Sequence, residues 1–272
     1  MSTLTAGEVV ARVKSHLGFP WREQTYRDTF KFGGPDTVVK GIATTMFCSY
    51  DAIRRAVEAG CNMMIPHEDT YWNDRDDVSI VSGDPAYKQK VDYMREHNVV
   101  IFRIHDHMHA QKPDFIWVGL ARVLGFDAKL ETAPQSHHFT LPQTTLGELA
   151  KNIQKRFADQ GLTDKAIRVV GDPATKVSRL QLGVGYATPS INDPNVDVVV
   201  SGESQETDGF LDNPEYVLDA TTLGIAKGWI MLGHTISEEA GMLEMAQWLK
   251  GVVPELPVQL IPAGEPFWSP PA

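Results

Sequence analysis

Short apolar, β-branched runs alternate along this chain with segments whose apolar residues recur every three to four positions. That alternation restricts the fold more than any other feature of the sequence. Residues 37–47 (TVVKGIATTMF), 62–66 (NMMIP) and 98–104 (NVVIFRI) read as strands, the last a buried one. Helical patterns alternate with them: 5–17 before the first, then a segment capped by Asp51 with Ile53, Ala56 and Val57 inward, then about 85–97 with Tyr87, Val91 and Met94 on one face. A further helix from about 114 ends at Gly125, and 126–144, rich in Pro, Gln, Thr and His, reads as a linker.

Beyond it the pattern resumes. Thr145 and Glu148 form a capping box for a helix reaching Gly161. Strands are expected at 166–170, 179–184, 196–200, 228–233 and 257–262, with helices capped by Asn213 and Ser237; the last carries Met242, Met245, Ala246 and Leu249 on its apolar face. The fold class is therefore α/β, as two α/β units with mixed sheets. The expected division is 1–127 plus 228–272 for the first unit and 128–227 for the second, with a metal site in the cleft between or beside them. A chain of 272 residues is long enough for either one large domain or two.

Three strand ends carry the chemistry. NMMIP runs into His67-Glu68-Asp69, NVVIFRI into His105-Asp106-His107-Met108-His109, and WIMLG into His234 with Glu238 four residues later. Ligands of open α/β sheets bind outside the carboxyl ends of the strands. One histidine at such an end is commonly a hydrogen-bonded surface residue, but three ends that pair His with carboxylate or further His point to a metal site. Imidazole and carboxylate without thiolate suit Zn, Fe, Mn, Co or Ni. Five or six donors exceed what one tetrahedral Zn needs, so two divalent ions fit better than one. Glu238, in the first turn of a helix capped by Ser237, can point back at the loop holding His234, although an acidic residue there also suits the helix dipole.

Other chemistries are set aside. Tyr71 occupies the place of the second His of HExxH, and Gly183-Val-Gly185 is followed by Thr188 where GxGxxG requires Gly. No GxxxxGK[ST] exists, and Ser204 lies in GESQE, not G-x-S-x-G. Asp106 inside the histidine triplet and Ala110 after it break H-x-H-x-D-H. Acidic residues outnumber basic ones by 35 to 25, a formal net charge of −10, which disfavours nucleic acid and anionic membranes as partners. No apolar run approaches the roughly 18 residues of a membrane helix, MSTLTAGEVV lacks a secretory pattern, and Cys48 and Cys61 form no CxxC pair. A cytoplasmic, reduced protein is expected.

The residues also carry a family likeness. Over roughly 37–262 the sequence resembles the NIF three-like dinuclear-metal proteins, often described as type 2 homologues of GTP cyclohydrolase I. The likeness runs through VVKGIATTMFCSYDAIRRAVEAGCNMMIPHEDTYW, RIHDHMHA, IRVVGDPATKVSRLQLGVG and VDVVVSGE, and its strongest match is WIMLGHTISEEAG, similar to the family's GH-x-x-(S/T)-E signature. The resemblance implies His67 as the first metal ligand and His234 with Glu238 as the C-terminal pair. Glu68 stands where the family has a second His, His109 where it has Asp, and His105 matches the first residue of H-x-x-x-D. His107 and Asp106 are additional and become candidates for proton transfer, as does Glu203 on the Gly-Glu turn; Trp72 is a candidate pocket wall or core residue.

A metal-dependent hydrolase acting on a small nucleotide-like or phosphorylated substrate is then the expected function. A metal-binding scaffold or interaction protein, or a metal storage or delivery protein, is the alternative. The resemblance further implies a homo-oligomer, a hexamer, weakly supported by Phe267 and Trp268 in a Pro-rich tail.

Overall fold

The computed structural model describes residues 4–162, 167–187, 189–203 and 211–267, so Thr188, Ser204 and Trp268 lie outside the described residues. The chain divides into two compact units, Met1–Phe115 with Gly241–Ala263, and Ile116–Ala240 with Gly264–Ala272.

The first unit is built on β1 (Phe30–Phe32), β2 (Ile42–Thr45), β3 (Met63–Pro66), β4 (Val100–Phe102) and β10 (Val258–Leu260). The sheet order is β1-β4-β3-β2-β10. β10, β2, β3 and β4 run parallel, and β1 pairs antiparallel with β4 at the edge. Every residue of β2, β3 and β4 is buried, which is why these strands read as continuous apolar runs instead of alternating ones. Ala43, Met64 and Ile101 from the strands meet Ile53 and Ala56 of α2 (Tyr50–Glu58) and Met94 of α3 (Pro85–Glu96) in one core.

The second unit holds β5 (His138–Thr145), β6 (Arg168–Val170), β7 (Lys176–Leu182), β8 (Val198–Ser201) and β9 (Gly228–Met231), in the order β5-β7-β8-β9-β6. β7, β8 and β9 are parallel; β5 and β6 close the edges antiparallel. Val199, Trp229, Val196 and Ile191 pack with Val217 of α8 (Asn213–Thr222). Both sheets are mixed, as the sequence pattern leads one to expect.

The differences from the sequence reading have local causes. The strand expected at 37–47 shortens to β2, because Thr37 and Val39 are spent on α1 (Ala6–His16): the Ala6 N–H donates to the Thr37 carbonyl and the Val39 N–H to that of Leu4. Ser49, not Asp51, caps α2 through the Ala52 N–H, and Asp51 instead pairs with Arg54 and Arg55. The 126–144 segment is no linker: it forms α6 (Asp127–Thr132) and most of β5, whose exposed edge position explains its polar composition. α8 starts after Asp212, and the Asn213 side chain accepts the Ile191 N–H. β9 hydrogen-bonds into the second sheet, so the boundary expected at residue 228 is replaced by one at Ala240/Gly241. That boundary falls inside α9 (His234–Val252).

Candidate metal centre

Parallel pairing brings the carboxyl ends of β2, β3 and β4 together at one edge of the first sheet. Backbone bonding continues past the strands and places the donors. The His67 N–H donates to the Thr45 carbonyl at 3.1 Å, that of Glu68 to Met46 at 2.7 Å, and that of Ile104 to Pro66 at 3.0 Å. HDHMH is helical, not extended: α4 spans Asp106–Ala110, and α5 (Phe115–Val123) follows. One helical turn puts His105 and His109 four residues apart on the same side, whereas His107 points elsewhere.

The His67 and His105 rings stack at 4.4 Å between centroids, and His109 stands edge-on to both, at 5.0 and 4.9 Å. One ring nitrogen from each of the three lies within 4.8 Å of the others. Ligand bonds of about 2.0–2.1 Å allow two donors on one ion to stand up to about 4 Å apart, so this spacing makes the three rings candidates for a common cation. His67 is fully buried, and burial, reinforced by the neighbouring His105 and His109, holds its pKa well below the ordinary imidazole value. The neutral ring is the form that ligates.

Carboxylates orient the two outer rings. His105 Nδ1 lies 3.0 Å from Asp106 Oδ1, and His109 Nδ1 lies 2.9 Å from Asp114 Oδ2. A proton on Nδ1 satisfies each bond and leaves the lone pair on Nε2. Glu68 presents Oε1 3.5 Å from His105 Nε2 while Oε2 accepts from Arg103 at 2.6 Å. The donor set is thus three imidazoles and one carboxylate, without sulfur, and fits a borderline or hard divalent cation.

Two of the expected proton-transfer residues have other work. His107 is fully buried, stacked on Trp21 at 3.5 Å. Its Nε2 accepts the Arg22 N–H at 3.0 Å, and its Nδ1 bonds Asp28. With both nitrogens occupied, it fastens the 19–28 segment to α4. Asp106 accepts from Thr25, Arg27 and His105. Burial alone would raise its pKa, but bonds from Thr25 and His105 hold it below the ordinary carboxylate range, so it serves as a fixed acceptor.

The sequence reading missed Asp28 and Arg103. The Asp28 carboxylate, 2% exposed, receives the N–H groups of His105, Asp106 and His107 and so secures the start of α4. Nothing near Asp28 in sequence announces this. Arg103 had a signal: a lone cation at the end of the apolar run NVVIFRI. Trp72, another expected site residue, is 52% exposed with Lys90 over its ring.

The second unit carries its own donor pair where β9 turns into α9. His234 is the first residue of that helix, so Ser237 lies within its first turn instead of capping it. The Ser237 hydroxyl donates to the His234 carbonyl at 2.8 Å and accepts the Gly185 N–H at 3.0 Å. Glu238 Oε2 stands 3.1 Å from His234 Nε2, and Glu203 Oε1 stands 2.6 Å from its Nδ1. A separation near 3 Å is what two ligands of one ion adopt when bonds are about 2.0–2.1 Å. Glycine makes the arrangement possible: Gly185 has φ +50, and a Cβ there would collide with Glu238 Oε1. A Cβ on Gly202 would lie 2.6 Å from the Ser237 hydroxyl and the Gly185 backbone. Tyr186 stands edge-on to the His234 ring at 5.0 Å.

Among the described residues no helix is long and apolar enough to cross a membrane. A relative from Clostridium acetobutylicum, called a GTP cyclohydrolase 1 type 2 homolog, is 24% identical over 234 residues, covering 81% of this chain and 80% of the relative. A hypothetical protein of Staphylococcus aureus has a similar fold, with a TM-score of 0.66 at 16% identity over 99% of this chain and 100% of its own. A Bacillus cereus protein related to NIF3 gives a TM-score of 0.65 at 14% identity, again over 99% and 100%. The profile of the Duf34/NIF3 (NGG1p interacting factor 3) family matches residues 5–264, and the chain belongs to that family.

Proposed function

We propose that this protein is a dinuclear-metal hydrolase acting on a small nucleotide-like or phosphorylated substrate. The proposed donors are His67, Glu68, His105, His109, His234 and Glu238. The observation that carries the reading is the convergence of His67, His105 and His109, whose donor atoms lie within 4.8 Å of one another and whose outer rings are oriented by Asp106 and Asp114. Zn, Fe, Mn, Co and Ni all suit this donor set. Divalent cations held there supply Lewis acidity toward an ester or ring amide and toward water.

The chain's own residues do the rest. Burial keeps His67 neutral, Asp106 and Asp114 set the tautomers of His105 and His109, and Glu203 does the same for His234. Glu203, with its side chain 36% exposed, is the carboxylate we assign to proton transfer, since it reaches solvent while touching a donor ring. The name of the Clostridium relative supports a nucleotide-type substrate. The family resemblance also supports a homo-hexamer, checked by light scattering at about six chain masses against one.

Elemental analysis tests the metal reading: two ions per chain in the wild type, and loss in both His67→Ala and His234→Ala. A hydrolysis screen on metal-loaded protein tests the activity, with His234→Ala as control. Equal rates from both proteins across nucleotide, phosphoester and amide panels would leave a metal-binding scaffold in place of an enzyme.

A further inference from the structure

Arg103 is fully buried at the end of β4, and its whole guanidinium is engaged. Nε donates to the His67 carbonyl at 3.0 Å, Nη1 to the Asp74 carbonyl at 2.6 Å, and Nη2 to Glu68 Oε2 at 2.6 Å and Asp74 Oδ1 at 3.0 Å. Asp76, also buried, lies 3.6 Å from Nη1 and pairs with Lys31 at 3.3 Å. The same Asp76 carboxylate receives the N–H groups of Thr70 and Tyr71. One side chain therefore grips the carbonyl of one candidate donor, the carboxylate of the next, and the loop that follows them.

We propose that Arg103 is the positioning residue of the metal centre, acting through Glu68: by holding Oε2 and the His67 carbonyl together, it presents Glu68 Oε1 beside the imidazoles in a single orientation. The inference rests on the divalent-cation reading above. Its physical basis is geometric. A glutamate has three rotatable side-chain bonds, and an unrestrained carboxylate next to a cation site can swing to either oxygen or out to water. The planar fork of an arginine removes that freedom, whereas the point charge of a lysine cannot hold a carbonyl and two carboxylates at once. The guanidinium charge sits among Glu68, Asp74 and Asp76, so it is offset locally and does not repel a cation beside His105.

A double-mutant cycle with Co²⁺ as the probe tests this, using Arg103→Lys, Glu68→Gln and the double variant of the full chain. The readouts are Co²⁺ affinity, the visible d–d spectrum, and the unfolding midpoint of the metal-free protein. Each single variant is expected to weaken the site about 10- to 100-fold, the range for groups that orient ligands, and to alter the spectrum. The double variant is expected to be no weaker than the worse single one, because both changes break the same contact. Wild-type affinity and spectrum in a folded Arg103→Lys, or effects that multiply, would overturn the positioning role and leave the metal reading intact. A wild type that takes up no divalent cation would overturn both. If Arg103→Lys does not fold, Asp74→Ala decides, since it releases the exposed side of the fork: a several-fold loss of affinity is expected, and an unchanged affinity would refute the role.

Discussion

In the first unit the donors stand at the ends of adjacent parallel strands, and the surrounding side chains are buried and charged. In the second unit His234 starts a helix against a glycine turn, between two carboxylates. The first cluster is rigid because polar groups without water must find partners: Asp28 takes three backbone N–H groups and His107, and Arg103 takes two carbonyls and two carboxylates. The second is rigid because of what is missing, namely side chains at Gly185 and Gly202. A site can thus be held in shape by saturated hydrogen bonding or by close backbone approach, and the two designs fail differently when altered.

The sharpest way to break the first design is His107→Ala. It empties the stack on Trp21 and leaves the Asp28 carboxylate buried without its imidazole. A loss of about 3–5 kcal/mol is expected, the range for truncating a large buried aromatic ring to Ala, read as a shift in urea midpoint. A variant of unchanged stability that lost only activity would restore His107 as a catalytic group.

The corresponding break in the second design is Gly185→Ala. A left-handed backbone without glycine and a collision with Glu238 together predict a loss of about 2–4 kcal/mol. Gly161 offers the control in the same unit: φ is +71, but nothing lies within 4 Å of an added Cβ. Gly161→Ala is expected to cost about 1–2 kcal/mol, backbone strain alone. Equal costs at the two glycines would show that close approach to Glu238 contributes nothing.

A smaller contrast comes from the orienting carboxylates. Asp114, with its side chain 15% exposed, and Glu203, 36% exposed, each hold one donor ring. Asp114→Asn is expected to weaken metal binding about 10- to 100-fold, and Glu203→Gln less, because solvent competes for its partner. Isothermal titration on the two variants reads the ratio, and the reverse order would show that solvent exposure does not weaken the hold of Glu203 on His234.

The smallest effect is a pH dependence away from either cluster. Asp197 accepts the N–H groups of Ser178 and Arg179 and the Arg179 guanidinium. Burial by itself would raise its pKa, but the bonds from Arg179 and Ser178 hold it below the ordinary carboxylate value. The unfolded chain therefore binds a proton at higher pH than the folded one does. The contribution is present above about pH 4 and is lost as pH falls through the lower folded value. Asp197→Asn should flatten the stability profile below about pH 4 relative to wild type; parallel profiles would refute the assignment.

The alternation of strand and helix patterns and the histidines at strand ends were legible because they are local. Apolar periodicity follows from which face of an element is buried, and a ligand residue directly after a strand needs no distant information. The mixed sheets, the separate donor strands and the Glu238–His234 pair one helical turn apart all follow from such patterns. Polar edge strand β5 was not legible, since a strand exposed at a sheet edge has the composition of a loop. The helical state of HDHMH was hidden for a related reason: its first three residues are held by Asp28, 77 to 79 positions earlier in the chain.

What the sequence determined by itself was the set of residues able to ligate a cation and the strands that deliver them. Only the tertiary structure decided what each one does. His107 and His109 are two positions apart and chemically identical, yet one is locked in a buried stack and the other faces His67 and His105. Their separation is a consequence of helical geometry, which turns alternate residues away from each other. Arg103 and Asp28 act through partners tens of residues away, and such contacts exist only once the sheet has formed and water has been excluded from the strand ends.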